Sequence, residues 1–232
     1  MNIIDPRTGK PRLLVLVGPT AVGKTRYSLE IARRWNAEII SGDSMQVYRG
    51  MDIGTAKIKP DETEGIPHHL IDIRDPEEPF TAAEFQKLAR ECIEAIGARG
   101  RLPFVVGGTG LYIESLLYGF DFPEAPSDSR VRSELKHYAE EHGAEALHRR
   151  LAEVDPESAA RLHPNDVKRV IRALEIALET GETMSAKVAG FREPRESPYA
   201  FCLIGLTMDR NVLYDRINRR VDAMIGEGLV DE

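Results

Sequence analysis

The sequence predicts an α/β fold, a parallel sheet with helices on both faces, interrupted by an all-helical insert. Three observations carry this. Short apolar runs alternate with helix-period segments through the first half. A glycine-containing turn, Gly18 to Thr25, joins the first run to the first helical pattern. From about residue 119 to residue 198 the strand signal gives way to helical periodicity.

The elements follow in order. Leu13–Val17 is an apolar run ending at Gly18-Pro19, the pattern of a buried parallel strand. Lys24 to Trp35 is helical, and its rings Tyr27 and Trp35 are expected in the core rather than as base-stacking groups. Glu38–Ser41 and Leu70–Ile73 are short strands, the second flanked by His68-His69 and Asp75-Pro76. Thr81 to Ile96 is a helix opened by the capping pair Thr81 and Glu84, with Phe85, Leu88, Cys92 and Ile96 at helical spacing. Pro103–Val106 is a strand running into Gly107-Gly108, and Leu111–Leu117 is a helix. Strand–helix alternation of this kind makes a parallel sheet. Phe120–Ser127, with two prolines, reads as a linker. Ser129 to Thr180 is helical, broken at Asp155-Pro156 and His163-Pro164. Gly190–Pro198 reads as a polar loop, Ala200–Leu206 as a strand and Arg210–Ile225 as a helix. The expected organisation is a core of residues 1–118 plus 199–232 and a helical insertion domain at 119–198. Gly228 to Glu232 reads as the middle of an element, so further helices are expected beyond it.

With 232 residues, 42% apolar and 30% charged, the chain can bury a sizeable core. That excludes a disordered chain and a disulfide-stapled miniprotein. Cys92 and Cys202 alone cannot build a four-ligand zinc site and are expected to be reduced thiols; His68-His69 lack an evident third ligand. No apolar run approaches the roughly 20 residues of a membrane helix, and Met1 to Arg12 lacks an apolar signal core. A soluble, cytoplasmic protein is expected. The net charge of −7 argues mildly against nucleic acid, but residues 1–60 hold ten basic and five acidic residues. Anion affinity follows the local field, so a positive cleft in that segment is compatible with an acidic total.

Gly18, Pro19, Thr20, Ala21, Val22, Gly23, Lys24 and Thr25 match GxxxxGK[ST] between a strand and a helix. Such a loop turns backbone N–H groups onto phosphate oxygens at a helix N-terminus. Lys24 adds an ammonium, and the Thr25 hydroxyl can ligate a phosphate-bound Mg²⁺. A P-loop NTPase-like core binding a diphosphate or triphosphate is therefore expected. One feature of a kinase is weak: the strand Phe104-Val105-Val106 runs into Gly107 rather than an Asp, and Asp72 sits mid-strand. After the second strand, Asp43 falls at the ligand-facing sheet edge. It can serve as a general base or metal ligand, or simply as an Asx-type cap. Ser44 and Gln46 supply a hydroxyl and an amide suited to a base edge.

The ordered set is more specific than the loop. Gly18–Thr25, Asp43-Ser44-Met45-Gln46-Val47-Tyr48, Met51-Asp52-Ile53-Gly54-Thr55-Ala56-Lys57 and Gly107-Gly108-Thr109-Gly110-Leu111-Tyr112 occur in that order. They are followed by His163-Pro164-Asn165-Asp166, Lys168-Arg169, Arg172-Ala173-Leu174-Glu175, Arg216-Ile217, Arg220-Val221-Asp222 and Gly228-Leu229-Val230-Asp231-Glu232. Across almost the whole chain this resembles the tRNA dimethylallyltransferase (tRNA isopentenyltransferase) family, whose members continue beyond the position of Glu232.

The resemblance implies transfer of a dimethylallyl group from its diphosphate to N6 of adenosine 37, beside the anticodon of tRNAs reading U-starting codons, with ATP not consumed. It implies Asp43 as the base at N6, and Ser44, Met45 and Gln46 around the flipped adenine. Thr20, Lys24 and Mg²⁺ would steady the diphosphate, with Arg216 or Arg220. Thr109 would lie in the channel, and Arg132, Lys168, Arg169 and Arg172 would touch the anticodon stem-loop. A monomer is expected. The residues alone also admit simpler readings: Arg169 and Arg172 as a solvated helix face, Arg216 and Arg220 paired with Asp215 or Asp222, and Thr109 as a helix N-cap. The alternative functions are an ATP-using P-loop nucleoside or small-molecule kinase, a prenyltransferase for free adenine nucleotides, and an inactive tRNA-binding fragment.

Overall fold

The structure, a computed structural model, describes residues 3–120, 122, 130–192 and 196–232, with only the backbone at 189–192. It divides into two compact units, one of residues 1–120 with 196–232, the other of 121–195.

The first unit is built on five parallel strands: β1 (Arg12–Val17), β2 (Ala37–Gly42), β3 (His68–His69), β4 (Leu102–Gly107) and β5 (Ala200–Gly205). Their order is β3-β2-β4-β1-β5. Register is fixed by pairs such as Val15 with Val105, Ile40 with Val105, and Val15 with Leu203. Successive side chains in a strand point to opposite faces. Accordingly Leu13, Val15, Ile40 and Val105 bury against α2 (Ala82–Ala98) and α3 (Gly110–Tyr118). Leu16, Ile39 and Phe104 bury on the other face against Leu29 and Ala32 of α1 (Lys24–Trp35). Two buried faces explain why the strands are continuously apolar rather than alternating. The Thr81–Glu84 capping box forms as the sequence predicts: the Thr81 hydroxyl accepts from Glu84 N–H and the Glu84 carboxylate from Thr81 N–H.

Two expectations fail here for physical reasons. The strand at Leu70–Ile73 is instead His68–His69, paired with Ile39 and Ile40. Leu70 turns left-handed, with φ 61°, and drops its side chain into the core, while Asp72 also takes a positive φ. Asp72 is therefore in a loop, on the ammonium of Lys57, and not in a strand. Tyr27 and Trp35 are both about half exposed. The buried stripe of α1 runs through Ser28, Leu29 and Ala32 and leaves both rings outside it. His69 bonds the buried carboxylate of Glu38, and His68 bonds the Ile66 carbonyl. Cys92 and Cys202 are free thiols. Among the described residues no helix is long and apolar enough to cross a membrane.

The second unit holds α4 (Arg130–His142), α5 (Ala144–Val154), α6 (Pro156–Arg161), α7 (Val167–Thr180) and α8 (Met184–Arg192). Leu135, Leu147, Leu151, Val170 and Leu174 form its core. The predicted breaks at Asp155-Pro156 and His163-Pro164 are present, and Gly143, φ 85°, adds one more. The expected polar loop at Gly190–Pro198 begins later, since α8 continues to Arg192; residues 193–195 lie outside the described residues. The linker at Phe120–Ser127 also falls largely outside them. In the first unit α9 (Arg210–Gly226) follows β5.

Asp155 ties the second unit together. Its carboxylate accepts from Ser158 N–H at the start of α6 and from Ser185 N–H in α8, at 3.0 and 2.9 Å. Burial alone would raise its pKa, but these hydrogen bonds from Ser158 and Ser185 prevail and hold it at about 2. A depressed carboxylate stabilises the fold above its unfolded pKa of about 3.9, and that contribution is lost as pH falls toward the folded value. Asp155→Asn is expected to cost about 1–2 kcal/mol near neutrality, the deficit shrinking as pH falls from about 4 toward 2. Urea unfolding across that range measures it.

Candidate active site

The carboxyl ends of the strands hold a cleft of about 700 Å³. The phosphate loop, the turn after β2, residues 51–56 and α9 surround it. In the loop, Gly23 precedes α1 with φ 106°, a left-handed conformation that glycine adopts without strain. Thr20, Ala21, Gly23, Lys24 and Thr25 face the cleft. Val22 is buried, and Gly18 and Pro19 border a neighbouring hollow beside α3. The Lys24 ammonium donates to the carbonyls of Gly18 and Pro19 at 2.8 and 3.0 Å.

Arg216 and Arg220, one turn apart on α9, enter the same cleft. Neither takes the simple surface pairing: Asp215 bonds Arg219 instead. Arg26 is a further lining cation, which the sequence reading missed because an arginine just past a phosphate loop carries no motif signal. Among the described lining residues Asp43 is the sole carboxylate. Burial pushes the pKa of Lys24 down, partly offset by Asp43 and reinforced by Arg220. Burial likewise lowers that of Arg220, against the pull of Asp43. The cations thus outweigh their one counter-charge, which is the electrostatics of an anion site.

Asp43 takes the turn-capping role that its position allowed and also lines the cleft. Its Oδ1 accepts from Met45 N–H at 2.9 Å, an Asx turn, which leaves Oδ2 free. Met45 and Gln46 line the cleft. The Gln46 amide is held at both ends: its oxygen accepts from the buried Ser41 hydroxyl at 3.0 Å, and its nitrogen donates to the Thr55 carbonyl at 3.3 Å. Ser41, Thr55 and Met51 are site residues that sequence reasoning did not single out individually, because nothing in their types marks them. Ser44 and Thr109 do not line the cleft. They bond each other, Ser44 N–H to Thr109 Oγ1 at 3.1 Å. Thr109 stands at the N-cap position of α3, but its hydroxyl makes no cap bond there; it braces the Asp43 turn instead.

Behind the cleft wall Lys57 is almost fully buried. Its ammonium donates to the Tyr48 carbonyl and to Asp52 and Asp72, at 2.7, 2.6 and 2.5 Å. Burial opposes its charge, yet the Asp52 and Asp72 bonds raise its pKa overall.

The remaining predicted residues belong to the helical unit. Arg132 and Arg172 both bond the buried Glu175 carboxylate, at 2.8 and 2.6 Å. Lys168 is exposed, and Arg169 pairs loosely with Asp166 at 3.3 Å.

The fold and the cleft define a phosphate-loop α/β protein whose cleft is lined by several cations and, among the described lining residues, a single carboxylate. The family model "IPP transferase" matches residues 46–232, and the chain belongs to that family. It is 58% identical over 221 residues to a tRNA dimethylallyltransferase of Geobacillus thermodenitrificans, covering 95% of this chain and 70% of that protein. It is 56% identical over 223 residues to one of Halalkalibacterium halodurans, covering 96% and 71%. A crystal structure of the tRNA isopentenylpyrophosphate transferase from Bacillus halodurans is similar at a TM-score of 0.64 and 54% identity, covering 95% of this chain and 68% of that one. A eukaryotic dimethylallyltransferase acting on tRNA aligns at a TM-score of 0.77 and 32% identity, covering 95% and 54%.

Lys24→Ala is expected to weaken binding of inorganic diphosphate by about tenfold or more, the worth of a charge-assisted hydrogen bond. Calorimetric titration, with circular dichroism to verify folding, checks this.

Proposed function

We propose that this chain transfers a dimethylallyl group from dimethylallyl diphosphate to N6 of an adenosine in tRNA, namely adenosine 37 beside the anticodon. The observation that carries the reading is the placement of Asp43 in one cleft with Lys24, Arg216 and Arg220. The names of the relatives support the same chemistry. An ATP-using kinase is not favoured: β4 ends in Val106-Gly107 without a carboxylate.

The adenine amine is a weak nucleophile because its lone pair is delocalised into the ring. N6 attacks the first carbon of the dimethylallyl group, the carbon–oxygen bond to diphosphate breaks, and N6 loses a proton. The free Oδ2 of Asp43 takes that proton, while Oδ1 keeps the carboxylate oriented through Met45. Charge grows on the leaving diphosphate, and the phosphate-loop N–H groups, Lys24, Arg216 and Arg220 offset it. Thr20 lies at the mouth of the same loop, where its hydroxyl can donate to the diphosphate. The pinned amide of Gln46 holds the flipped base, whose unstacking costs a few kcal/mol. Lys168, Arg169, Arg132 and Arg172 contribute phosphate contacts on the helical unit.

Mg²⁺ fits the donor set. Thr25 lines the cleft, and no cluster of three or more His, Cys, Asp or Glu side chains among the described residues offers an all-protein cage. This is the pattern for an ion held by one or two protein oxygens and the oxygens of a phosphate ligand. Bound there through Thr25, it would supply further charge neutralisation on the diphosphate.

Asp43→Asn keeps the acceptor for Met45 but removes the base. It is expected to lower prenyl transfer to an anticodon stem-loop by about 10²–10⁴-fold, with diphosphate affinity retained. Labelled donor, assayed without ATP, measures the first and calorimetry the second. Chelating Mg²⁺ with EDTA is expected to weaken donor binding, and added Mg²⁺ to restore it, in the same titration.

A further inference from the structure

The cleft wall at residues 51–56 is also held by a group that does not itself line the cleft. Three consecutive backbone N–H groups, of Asp52, Ile53 and Gly54, point to one side and form an anion-accepting nest. The Glu232 carboxylate fills it. Its Oε1 accepts from Asp52 and Ile53, both at 2.7 Å, and its Oε2 from Gly54 at 2.9 Å. Leu229 packs against the same loop: a Cβ on Gly54 would lie 3.0 Å from Leu229 Cδ1. The path back to α9 is short and hydrogen-bonded. Glu232 N–H donates to the Gly228 carbonyl and Leu229 N–H to that of Met224, the buried residue of α9. The same helix carries Arg216 and Arg220 into the cleft.

The clamped loop does two things for the site. It lines the cleft with Met51, Gly54, Thr55 and Ala56. Its Thr55 carbonyl also accepts from the Gln46 amide and so sets which way that amide faces. Lys57 anchors the loop from the protein interior through Asp52; the Glu232 carboxylate anchors it from the side of α9.

We propose that Glu232 is a positioning residue. By clamping the N–H groups of 52–54 it keeps the cleft wall, and through Thr55 the Gln46 amide, in register with the arginines of α9. The proposal rests on the prenyl-transfer reading of the cleft for its catalytic consequence, but the clamp itself does not. Because the loop orients Gln46, and the phosphate loop is held independently, loss of the clamp acts on the RNA substrate more than on the diphosphate.

The experiment compares wild type, Glu232→Ala and Glu232→Gln, the last retaining one acceptor oxygen without the charge. Residue-resolved amide exchange is expected to accelerate about tenfold or more at Asp52, Ile53 and Gly54 in Glu232→Ala, and less in Glu232→Gln, with sheet amides unchanged. Steady-state transfer is expected to show a KM for the anticodon stem-loop raised about tenfold or more, with the Kd for inorganic diphosphate within about twofold of wild type. Unchanged exchange at 52–54 in both variants overturns the clamp. Accelerated exchange with unchanged RNA kinetics overturns the positioning role. A wild-type chain that transfers no prenyl group overturns the functional reading, while the exchange arm still decides the clamp.

Discussion

At the carboxyl ends of β2 and β4 two backbones pass so closely that no side chain fits between them. A Cβ on Gly107 would lie 2.2 Å from the Gly42 carbonyl oxygen, well inside any allowed contact. Because the strands meet there, Thr109 N–H reaches the Gly42 carbonyl and the Thr109 hydroxyl reaches Ser44 N–H. Gly108 lies beside the Lys24 ammonium, where a Cβ would stand 3.7 Å away. The turn that carries Asp43 and the loop that carries Lys24 are thereby mounted on one rigid end of the sheet. Catalysis by positioning depends on such rigidity, since misplacement by an ångström costs orders of magnitude.

The cleft built on that end carries more cationic than anionic side chains. Lys24 and Arg220 are partly buried with Asp43 as their shared counter-charge, and burial lowers the pKa of both. In the proposed function a diphosphate would supply the balancing negative charge, and partial burial of the cations strengthens their pull on such a group. Asp43 is kept near these cations without being consumed by them: its fixed hydrogen bond is to Met45 N–H. On the proposed reading, negative charge develops on the side of the cations and a proton leaves on the side of the carboxylate.

The helical unit solves a different problem. Glu175 is 1% exposed, and burial disfavours its charge, yet bonds from Arg132 and Arg172 hold its pKa below the usual range. Breaking such a buried pair by removing one partner is costly, so these arginines have a structural duty whatever else they touch. Each guanidinium has five donors; the side chains remain 50% and 37% exposed, and the groups not on Glu175 stay available to phosphates. Lys168 and Arg169 carry no comparable structural duty.

By itself the sequence determined what depends on local chemistry. The phosphate loop, the Thr81–Glu84 cap, the helix breaks before Pro156 and Pro164 and the alternation of strands and helices are written in neighbouring residues, because each is stabilised by bonds or sterics within a few positions. The motif set, read together, also named the family. Tertiary structure decided what depends on residues far apart in the chain. Leu70 looked like a strand residue until the core needed its side chain and bent its backbone left-handed. Tyr27 and Trp35 had the right period but fell outside the stripe that the sheet covers. Thr109 bonds a partner 65 positions away, and Glu232 one 178 to 180 positions away. Such pairings carry no local periodicity or propensity, since they come into being only when packed elements bring two backbones together.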